Sequence, residues 1–597
     1  MINETQGRPE SRRDLLIVLA IWLVVSCFMA WNARMLVAQR MFPDPDDAMR
    51  LVQVRDWLAG QSWFDVTQYR LSPPWGAPMH WSRIVDVPIG LVILIFRPFL
   101  GEFGAESAAL FLIPLMTLGI TMLLMYRLAS KLSEGSAALL AVLATPASLG
   151  AMKQMKIMRI DHHGWQIVLA LVAMLGMLDI KRPLRGGAIA GVAVAFWLNI
   201  SIEGLPFAAA IGAWFALEWL LDASAGERLR SYLGSLALAS AALFASTHAP
   251  STWLGHPHDV LNVAHIAAFS AAWLCCLAAV RPNVADRWIR AGLLALAAVI
   301  SGAAMFAVDV HALADPFSSL DPFVRAYWYN GVDEGRPAWQ IAWSYAAEGL
   351  AQPVVGLAGA LVAIGRTRGA QRYAWVMYAY LLGSITLSAL FVIREATTAS
   401  VLSLAGTAFL CDLALRHTRK VSLMPVRVVG TAGALLIMAP AYAAPALVMP
   451  ADPRLIKAMA SSDSCVTKSE LDKLASLPPS NLATPLDITP AILAGTPHRM
   501  IAGGYHRDNA GIHEVILLFI GSEGVARQIL ARRHIDYVVF CPNTPESIWW
   551  AHHGPDGLSA KLNANQVPAW LDPVDLHLKS LRVWRVRKDL LAAQPSA

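Results

Sequence analysis

Charged residues are scarce in this chain. Asp, Glu, Lys and Arg make up 15% of its 597 residues, whereas 56% are hydrophobic, and the mean hydropathy is +0.48. This composition excludes an ordinary soluble protein. Apolar runs of roughly 17 to 25 residues, enough to cross a bilayer core of about 30 Å, recur from Leu15 almost to position 449. The sequence therefore predicts a multi-pass α-helical membrane protein.

Cysteine is also scarce, and its spacing excludes a cysteine-based metal site. The six cysteines are scattered, and Cys465 and Cys541 are the two that lie beyond position 450. If that part of the chain is extracytoplasmic, these two can form a disulfide, and two unpaired thiols are the alternative. The other four lie inside apolar runs and are interpreted as packing residues.

The hydrophobic runs predict about thirteen transmembrane helices, with the N-terminus in the cytoplasm. The net charge of +6 does not indicate nucleic-acid binding, because the basic residues lie mainly in short loops, where they set topology. All of these basic loops fall on one side, which the positive-inside rule makes cytoplasmic. The predicted helices lie near 15–38, 105–126, 136–151, 165–180, 186–202, 205–222, 232–248, 260–280, 290–309, 340–364, 373–392, 397–415 and 428–449.

The composition changes at about position 451, where Asp, Asn, Lys, Arg and Pro return and apolar runs shorten. We therefore divide the chain into a membrane domain, 1–450, and a soluble domain, 451–597. The soluble domain is predicted to be α/β, with strands at 481–487, 499–503 and 537–540 and helices at 514–519 and 522–533. An odd number of spans places this domain outside the cytoplasm.

Ionisable residues are concentrated in the loops predicted to lie outside. Asp44, Asp46 and Asp47 follow the first span, and Asp161-His162-His163 lies in the second outer loop. Asp44, Asp161 and His163 offer ligands for a divalent cation such as Mg²⁺ or Mn²⁺. Such an ion would neutralise charge on a departing phosphate. The simpler alternatives are a helix cap at Asp44 and an interfacial polar turn at Asp161.

Two further outer loops contribute Glu334 and Arg394. An arginine can bind phosphate oxygens through two parallel hydrogen bonds, and Arg394 lies between two long apolar helices. The alternatives are a solvated loop for Glu334 and, for Arg394, an ion pair with Glu395 or a position at the membrane interface.

These motifs resemble the catalytic subunit of oligosaccharyltransferase, within the GT-C class of polyprenyl-dependent glycosyltransferases. Asp44-Pro45 through Arg50 matches the family's Asp-Pro-x-x-x-x-Arg pattern, and Asp161-His162-His163 matches an Asp-His-His form of its second outer loop. Gly331 to Glu334 is a loose match to a small-Val-x-Glu motif in the family's external loop.

The resemblance implies a role for each matched residue. Asp44, Asp161 and His163 would be metal ligands, and Asp44 would also be catalytic. Glu334 would hold the acceptor and complete the catalytic site. In the mechanism that we expect, Asp47 is a further catalytic residue, which assists Asp44. The residues expected to bind substrate are Arg394, Arg50 and His162. If the segment is helical, Asp46 is expected to point elsewhere, because it is two residues from Asp44.

The soluble domain departs from the family. It lacks the Trp-Trp-Asp-Tyr-Gly motif that reads the acceptor sequon, and in a similar place it has Pro485 to Pro490. A second polar cluster, Tyr505 to Asn509, either binds a glycan or lines the active-site mouth, or it is a surface turn. We therefore expect a different acceptor reader.

The sequence thus predicts an inverting GT-C glycosyltransferase of the inner membrane. Its donor would be a polyprenyl-phosphate- or pyrophosphate-linked sugar, and its acceptor an extracytoplasmic protein, lipid or glycan. The alternatives are a transporter or flippase for lipid-linked sugars and a non-catalytic scaffold. Mid-membrane polar breaks and internal repeats would indicate a transporter, and the sequence shows no clear repeat.

Overall fold

The computed structural model of the chain describes residues 12–133, 136–255, 257–280, 284–315, 317–438 and 465–591. Its first part is almost entirely helical. The helices up to position 438 are α1 Arg12–Ala38, α2 Pro45–Leu58, α3 Asp86–Leu132, α4 Ala137–Ala144, α5 Leu149–Gln154, α6 His163–Met177, α7 Pro183–Ile200, α8 Leu205–Leu221, α9 Gly226–Thr247, α10 Val263–Ala279, α11 Arg287–Val308, α12 Pro322–Tyr327, α13 Trp343–Arg366, α14 Gly369–Phe391, α15 Ala396–Leu402, α16 Leu404–Thr418 and α17 Met424–Leu436.

The chain is a multi-pass membrane protein. Within the described ranges, seven helices are long and apolar enough to cross a membrane. The pair α15 and α16 is bent by 47° and is either a broken eighth span or a re-entrant loop. Shorter apolar helices include α6, α10 and α17. Most predicted helices are therefore present, but the count of thirteen spans is not confirmed. The second half of the predicted helix 428–449 and the domain boundary at 450 lie outside the described residues.

The helix predicted at 105–126 is part of a longer one. Helix α3 has 47 residues and begins at Asp86, and its backbone is interrupted at Gly101, where φ is +67°. Only glycine adopts this conformation without strain, so the two halves meet at a kink. The predicted helix 136–151 is broken as well, because Pro146 lies in a 3-10 turn between α4 and α5.

Small residues allow the membrane helices to pack closely. A Cβ atom on Gly359 of α13 would lie 2.1 Å from the carbonyl oxygen of Gly406 on α16. Such contacts replace the hydrophobic drive that is absent between helices in lipid. A helix core that includes Trp197, Trp219 and Trp375 surrounds them.

The C-terminal region, residues 465–591, is α/β as predicted. Its helices are α18 Lys468–Leu474, α19 Thr489–Gly495, α20 Asn509–Ile520, α21 Glu523–Arg532, α22 Pro545–His553 and α23 Leu558–Asn563. Two short strands in the loop after α1, β1 Thr67–Gln68 and β2 Ala77–Pro78, precede the strands of this region: β3 Asn481–Ala483, β4 Arg499–Met500, β5 Tyr537–Phe540, β6 Leu571–Pro573 and β7 Arg582–Val586. The sheet order is β4-β3-β5-β7-β6, parallel from β4 to β5 and antiparallel beyond. Strands β6 and β7 were not predicted. Cys465 and Cys541 form the disulfide that the sequence allowed.

The C-terminal region packs against the loop between α1 and α3. The backbone of this loop pairs with β4, where Met500 N–H donates to the Arg70 carbonyl at 2.8 Å. Arg70 also donates to the Thr496 carbonyl at 2.8 Å, and Ser72 donates to Asp508 at 3.1 Å. A shared core of Met49, Trp81 and residues of α18 and α19 seals the contact. The loop is therefore held between the helices and the C-terminal region.

Candidate active site

One large cavity, about 1200 Å³ in volume, lies where the helices meet the C-terminal region. Loops that are far apart in sequence line it together. Its polar lining includes Asp44, Asp46, His80, His162, Glu203, Asp259, Glu334, Arg394, Asp487, Tyr505 and His506. Residues of several loops that were predicted to lie outside therefore meet at one cavity.

Asp44 is both a helix cap and a cavity residue. Its side chain accepts a hydrogen bond from the Asp46 backbone N–H at 3.0 Å, which caps α2. Its other carboxylate oxygen lies 2.7 Å from Arg159 Nη1, and the side chain is 34% exposed. Burial raises the pKa of Asp44, but the charge of Arg159 and the hydrogen bond from the Asp46 backbone N–H outweigh burial, so the pKa is lowered. The carboxylate is therefore ionised and accessible from the cavity.

Asp47 lies beneath the cavity and does not line it. Its carboxylate accepts hydrogen bonds from the backbone N–H groups of Ile160 and Asp161 at 2.9 and 3.1 Å, and from Arg159 at 3.1 Å. These contacts tie α2 to the loop that precedes α6. Asp47 therefore positions the two predicted motifs against each other.

Asp46 does line the cavity, so the expectation that it points elsewhere is wrong. The first turn of α2 lies at the cavity edge, so that Asp44 and Asp46 both reach it while Asp47 turns inward. Burial, followed by the charge of Asp44, raises the pKa of Asp46 well above its usual range. No ion pair to Asp46 is formed by the described residues.

Asp161, His162 and His163 form a compact buried group. His162 Nδ1 is hydrogen-bonded to Asp161 Oδ1, and His163 Nε2 lies 3.4 Å from Asp161 Oδ2. Although burial raises the pKa of Asp161, the two histidines and then Arg50 hold it well below its usual range. Among the three, it is His162 that lines the cavity.

Arg50 does not reach the cavity, where it was expected to bind substrate. It donates to Asp86 at 3.0 Å, lies 3.4 Å from Asp161, and packs over the Trp81 ring at 4.4 Å. It therefore supports Asp161 and Trp81 from behind. We call the five residues at this site the buried network: Asp47, Arg50, Asp86, Arg159 and Asp161.

The group around Asp161 fits a divalent cation. The side-chain ligand atoms of Asp161, His162 and His163 lie within 4.8 Å of one another. Oδ2 of Asp161 is buried and makes no hydrogen bond to the described residues, which leaves an acceptor for an ion. A carboxylate with imidazoles is a donor set that suits several divalent metals. Asp44, the third predicted ligand, is held by Arg159 instead.

Arg394 and Glu334 meet at the cavity wall together with a residue that the sequence analysis missed. Arg394 lies 3.1 Å from Glu203 and also donates to Glu334. Gln166 donates to the other oxygen of Glu203 at 3.3 Å. The side chains of Glu203, Glu334 and Arg394 are 21–41% exposed. We call Glu203, Glu334 and Arg394 the cavity triad. The predicted topology placed the short connection between helices 186–202 and 205–222 outside, so it could have identified Glu203.

The cavity continues between α8 and α14 as an apolar slot. Its lining there contains Leu205, Pro206, Ala209, Ala210, Ala213, Leu387 and Phe391. Leu387 and Phe391 are more than half exposed, at 59% and 57%. The slot thus joins the charged end of the cavity to an apolar helix surface.

The C-terminal region supplies the opposite wall. Leu486 and Asp487 belong to the segment found in place of the acceptor motif, and they line the cavity. Tyr505 and His506 do so as well. Asp259 pairs with Arg507 at 2.8 Å and with His506 at 2.7 Å, which joins this wall to the loop before α10. The two polar segments noted in the sequence therefore face the cavity.

No protein-family sequence model matches the chain, nor does the sequence of any curated protein. Solved structures of the Archaeoglobus fulgidus oligosaccharyltransferase do match. The structure of AglB in complex with an inhibitory peptide and a dolichol-phosphate is 15% identical, with a TM-score of 0.63 over 94% of this chain and 73% of the archaeal one. A form tethered to an acceptor peptide with the NVT sequon gives a TM-score of 0.57 at 15% identity, over 94% and 73%. A complex with Zn and sulfate gives 0.57 at 15% identity, over 92% and 70%. The chain therefore has the GT-C fold of oligosaccharyltransferase, as the sequence motifs predicted.

Proposed function

We propose that the protein is an inverting membrane glycosyltransferase. It transfers a sugar or oligosaccharide from a polyprenyl-phosphate or pyrophosphate carrier to an acceptor on the periplasmic side of the inner membrane. The observation that carries this proposal is that one cavity joins an apolar slot between α8 and α14 to the charged residues at its other end. A lipid-linked sugar likewise joins an apolar part, its lipid, to a charged part, its phosphate.

The donor lies with its lipid in the apolar slot and its phosphate beside Arg394 and His162. Arg394 exchanges one of its two carboxylate partners for phosphate oxygens, which its planar guanidinium binds in pairs. The dolichol-phosphate bound to the archaeal relative supports a donor of this chemical class.

The acceptor enters from the side of the C-terminal region, with its nucleophile beside Asp44. The nucleophilic atom attacks the anomeric carbon opposite the phosphate, and the bond between that carbon and the phosphate oxygen breaks. Asp44 accepts the proton as the new bond forms. Asp47 and Arg159 hold Asp44 in place through the contacts beneath the cavity. Glu334 contacts the acceptor at the cavity wall.

Asp161 and His163, with Asp44 nearby, would hold a divalent cation, for which Mg²⁺ or Mn²⁺ is our choice. When bound, it would stabilise the negative charge of the departing phosphate. The complex of the archaeal relative with Zn and sulfate supports a divalent ion in this fold.

Removing the gene tests the proposed substrate class. Mass spectrometry of envelope lipids should then show accumulation of one lipid-linked sugar and loss of one glycoconjugate. A deletion strain whose lipid-linked sugars match those of the parent would contradict the proposal.

Asp44→Asn tests the proposed base. General base catalysis contributes about 10²- to 10⁴-fold, so transfer from the accumulated donor should fall by a factor in that range. Asp65→Asn is the matched control, because Asp65 lies in the same loop but bonds Thr67 and Tyr69 away from the cavity. Equal transfer by Asp44→Asn and wild-type protein would overturn the role of Asp44.

A further inference from the structure

Six aromatic rings form a continuous belt along the cavity wall. Neighbouring ring centroids lie 4.6–5.8 Å apart, in tilted or edge-on pairs. The order along the belt is Tyr329, Phe317, His506, His80, Trp81 and Tyr505, and all six line the cavity. We call this set the aromatic belt. It is assembled from three separate parts of the chain: the loop after α1, the loop after α11, and the C-terminal region.

Tyr505 stands at the end of the belt nearest the acidic edge of the cavity. Its ring meets Trp81 edge-on at 5.5 Å, and the residue is 3% exposed. Burial, followed by the charges of Asp46, Asp44 and Asp161, raises the pKa of its hydroxyl well above the usual range. The phenol is therefore neutral and lies close to the proposed reaction centre.

The Tyr505 hydroxyl is buried and makes no hydrogen bond to the described residues. A buried hydroxyl without a partner is costly, and most such groups in native proteins are paired. Other buried tyrosines of this chain follow that rule: Tyr232 donates to the Ala208 carbonyl at 2.7 Å, and Tyr378 to the Leu402 carbonyl at 2.8 Å. Tyr505 differs from them because it lines the cavity.

A ligand that satisfies this arrangement has an apolar ring face and peripheral hydroxyl groups. Binding sites are commonly lined by aromatic side chains, with a few polar groups that set orientation. A sugar ring has both properties: its C–H groups pack on aromatic faces, and its hydroxyls pair with a phenol. Within the aromatic belt, two buried polar atoms make no hydrogen bond to the described residues, the Tyr505 hydroxyl and His80 Nδ1, and a peptide backbone would need more N–H and C=O partners than these two.

We propose that the aromatic belt and the Tyr505 hydroxyl form a sugar-binding subsite, in which Tyr505 determines specificity by pairing with a ring hydroxyl. This inference rests on the proposed function. The sugar is either the one carried by the lipid donor or part of a carbohydrate acceptor, because both present the same chemistry to Tyr505.

Binding of simple glycosides to the full-length protein in detergent tests the subsite. The probes are the methyl glycosides of glucose, galactose, mannose and N-acetylglucosamine, measured by saturation-transfer NMR. At least one should bind to wild-type protein, and Tyr505→Phe should weaken it about tenfold, the equivalent of one hydrogen bond. Competition with undecaprenyl-phosphate glucose shows whether the subsite binds the donor's sugar or a carbohydrate acceptor. This lipid displaces the glycoside from a donor-sugar subsite and leaves it bound at an acceptor subsite.

Thermal unfolding separates this role from a structural one. Tyr505→Phe should unfold at the wild-type temperature or above, because the deleted hydroxyl has no partner in the free protein. Tyr232→Phe is the matched control, and it should lower the unfolding temperature without changing glycoside binding. Absence of glycoside binding by wild-type protein, or equal binding by Tyr505→Phe, would overturn the subsite. Either result would leave the proposed function standing if the deletion strain still accumulates a lipid-linked sugar.

Discussion

The buried network and the cavity triad are both clusters of arginine and carboxylate, yet they differ in exposure. In the buried network the side chains are at most 6% exposed. In the cavity triad they are 21–41% exposed. Removing one partner of a fully buried pair leaves an uncompensated charge, whereas exposed pairs contribute little to stability. The first cluster is therefore suited to fixing geometry, and the second to exchanging partners with a ligand.

The largest effect is expected for Asp47→Ala. This change leaves two backbone N–H groups without an acceptor and removes one of the two carboxylate partners of Arg159, so the free energy of unfolding should fall by about 2–5 kcal/mol and transfer should be lost. Denaturant unfolding in detergent measures it. Asp472→Ala, which removes an exposed pair with Lys468, should cost less than about 1 kcal/mol. Equal stability of these two variants would remove the distinction between buried and exposed clusters.

Arg394→Lys should affect catalysis more than stability. Lysine keeps the charge but loses the planar fork, so the KM for the lipid-linked donor should rise about 10- to 100-fold, which corresponds to one or two charged hydrogen bonds. Steady-state transfer kinetics measure this. Arg336→Lys, in the loop that carries Glu334, should leave KM unchanged, because Arg336 pairs with Asp333 and does not line the cavity. If Arg394→Lys lowers the free energy of unfolding by several kcal/mol but keeps the wild-type KM, Arg394 has a structural role like that of the buried network.

Glu334→Gln should change the KM for the donor less than Arg394→Lys does, and it should lower this KM. A neutral amide competes less strongly for Arg394, so the donor KM should fall by about two- to fivefold, while the free energy of unfolding changes by less than about 1 kcal/mol. The kinetics of donor hydrolysis without acceptor isolate this effect. A raised donor KM would mean that Glu334 holds Arg394 in place and does not compete with the donor.

Asp508 offers a third case, a buried acid that forms no ion pair with the described residues, and its effect should be on the pH dependence of stability. It accepts hydrogen bonds from Ser72 and from the Gly511 backbone N–H, and burial raises its pKa to about 7. Because this value lies above that of the unfolded chain, folding takes up a proton. Stability should fall as pH rises from about 4 to 7 and level off above.

Asp508→Asn removes one titrating group and should lessen the fall in stability over that pH range. Thermal unfolding between pH 4 and 8 compares the two proteins. Identical profiles for wild type and variant would show that other groups cause the pH dependence.

The sequence predicted several of the polar residues that line the cavity. Asp44, His162, Glu334 and Arg394 could be predicted because charge beside a membrane helix is costly and their motifs are compact. The spacing of Asp44, Asp46 and Asp47 did not show which carboxylates face the cavity, because that depends on how α2 is rotated against its neighbours.

Other features depend on tertiary contacts that no local pattern encodes. Arg159, which joins Asp44 to Asp47, was not among the predicted site residues. Strand β6 has three residues and lies at the antiparallel edge of the sheet, where a short segment leaves a weak signal. The first half of α3 was missed because it lies before the kink at Gly101, so that the apolar run reads as two pieces.

The contact between the loop after α1 and the C-terminal region has a consequence for biosynthesis. Arg70 and Ser72 bond partners that lie 426 and 436 positions later in the chain. The loop that carries Asp44 therefore leaves the ribosome long before the surface that completes its cavity exists. An early intermediate therefore holds an incomplete cavity, which is closed only when the C-terminal region has been synthesised and has docked on this loop.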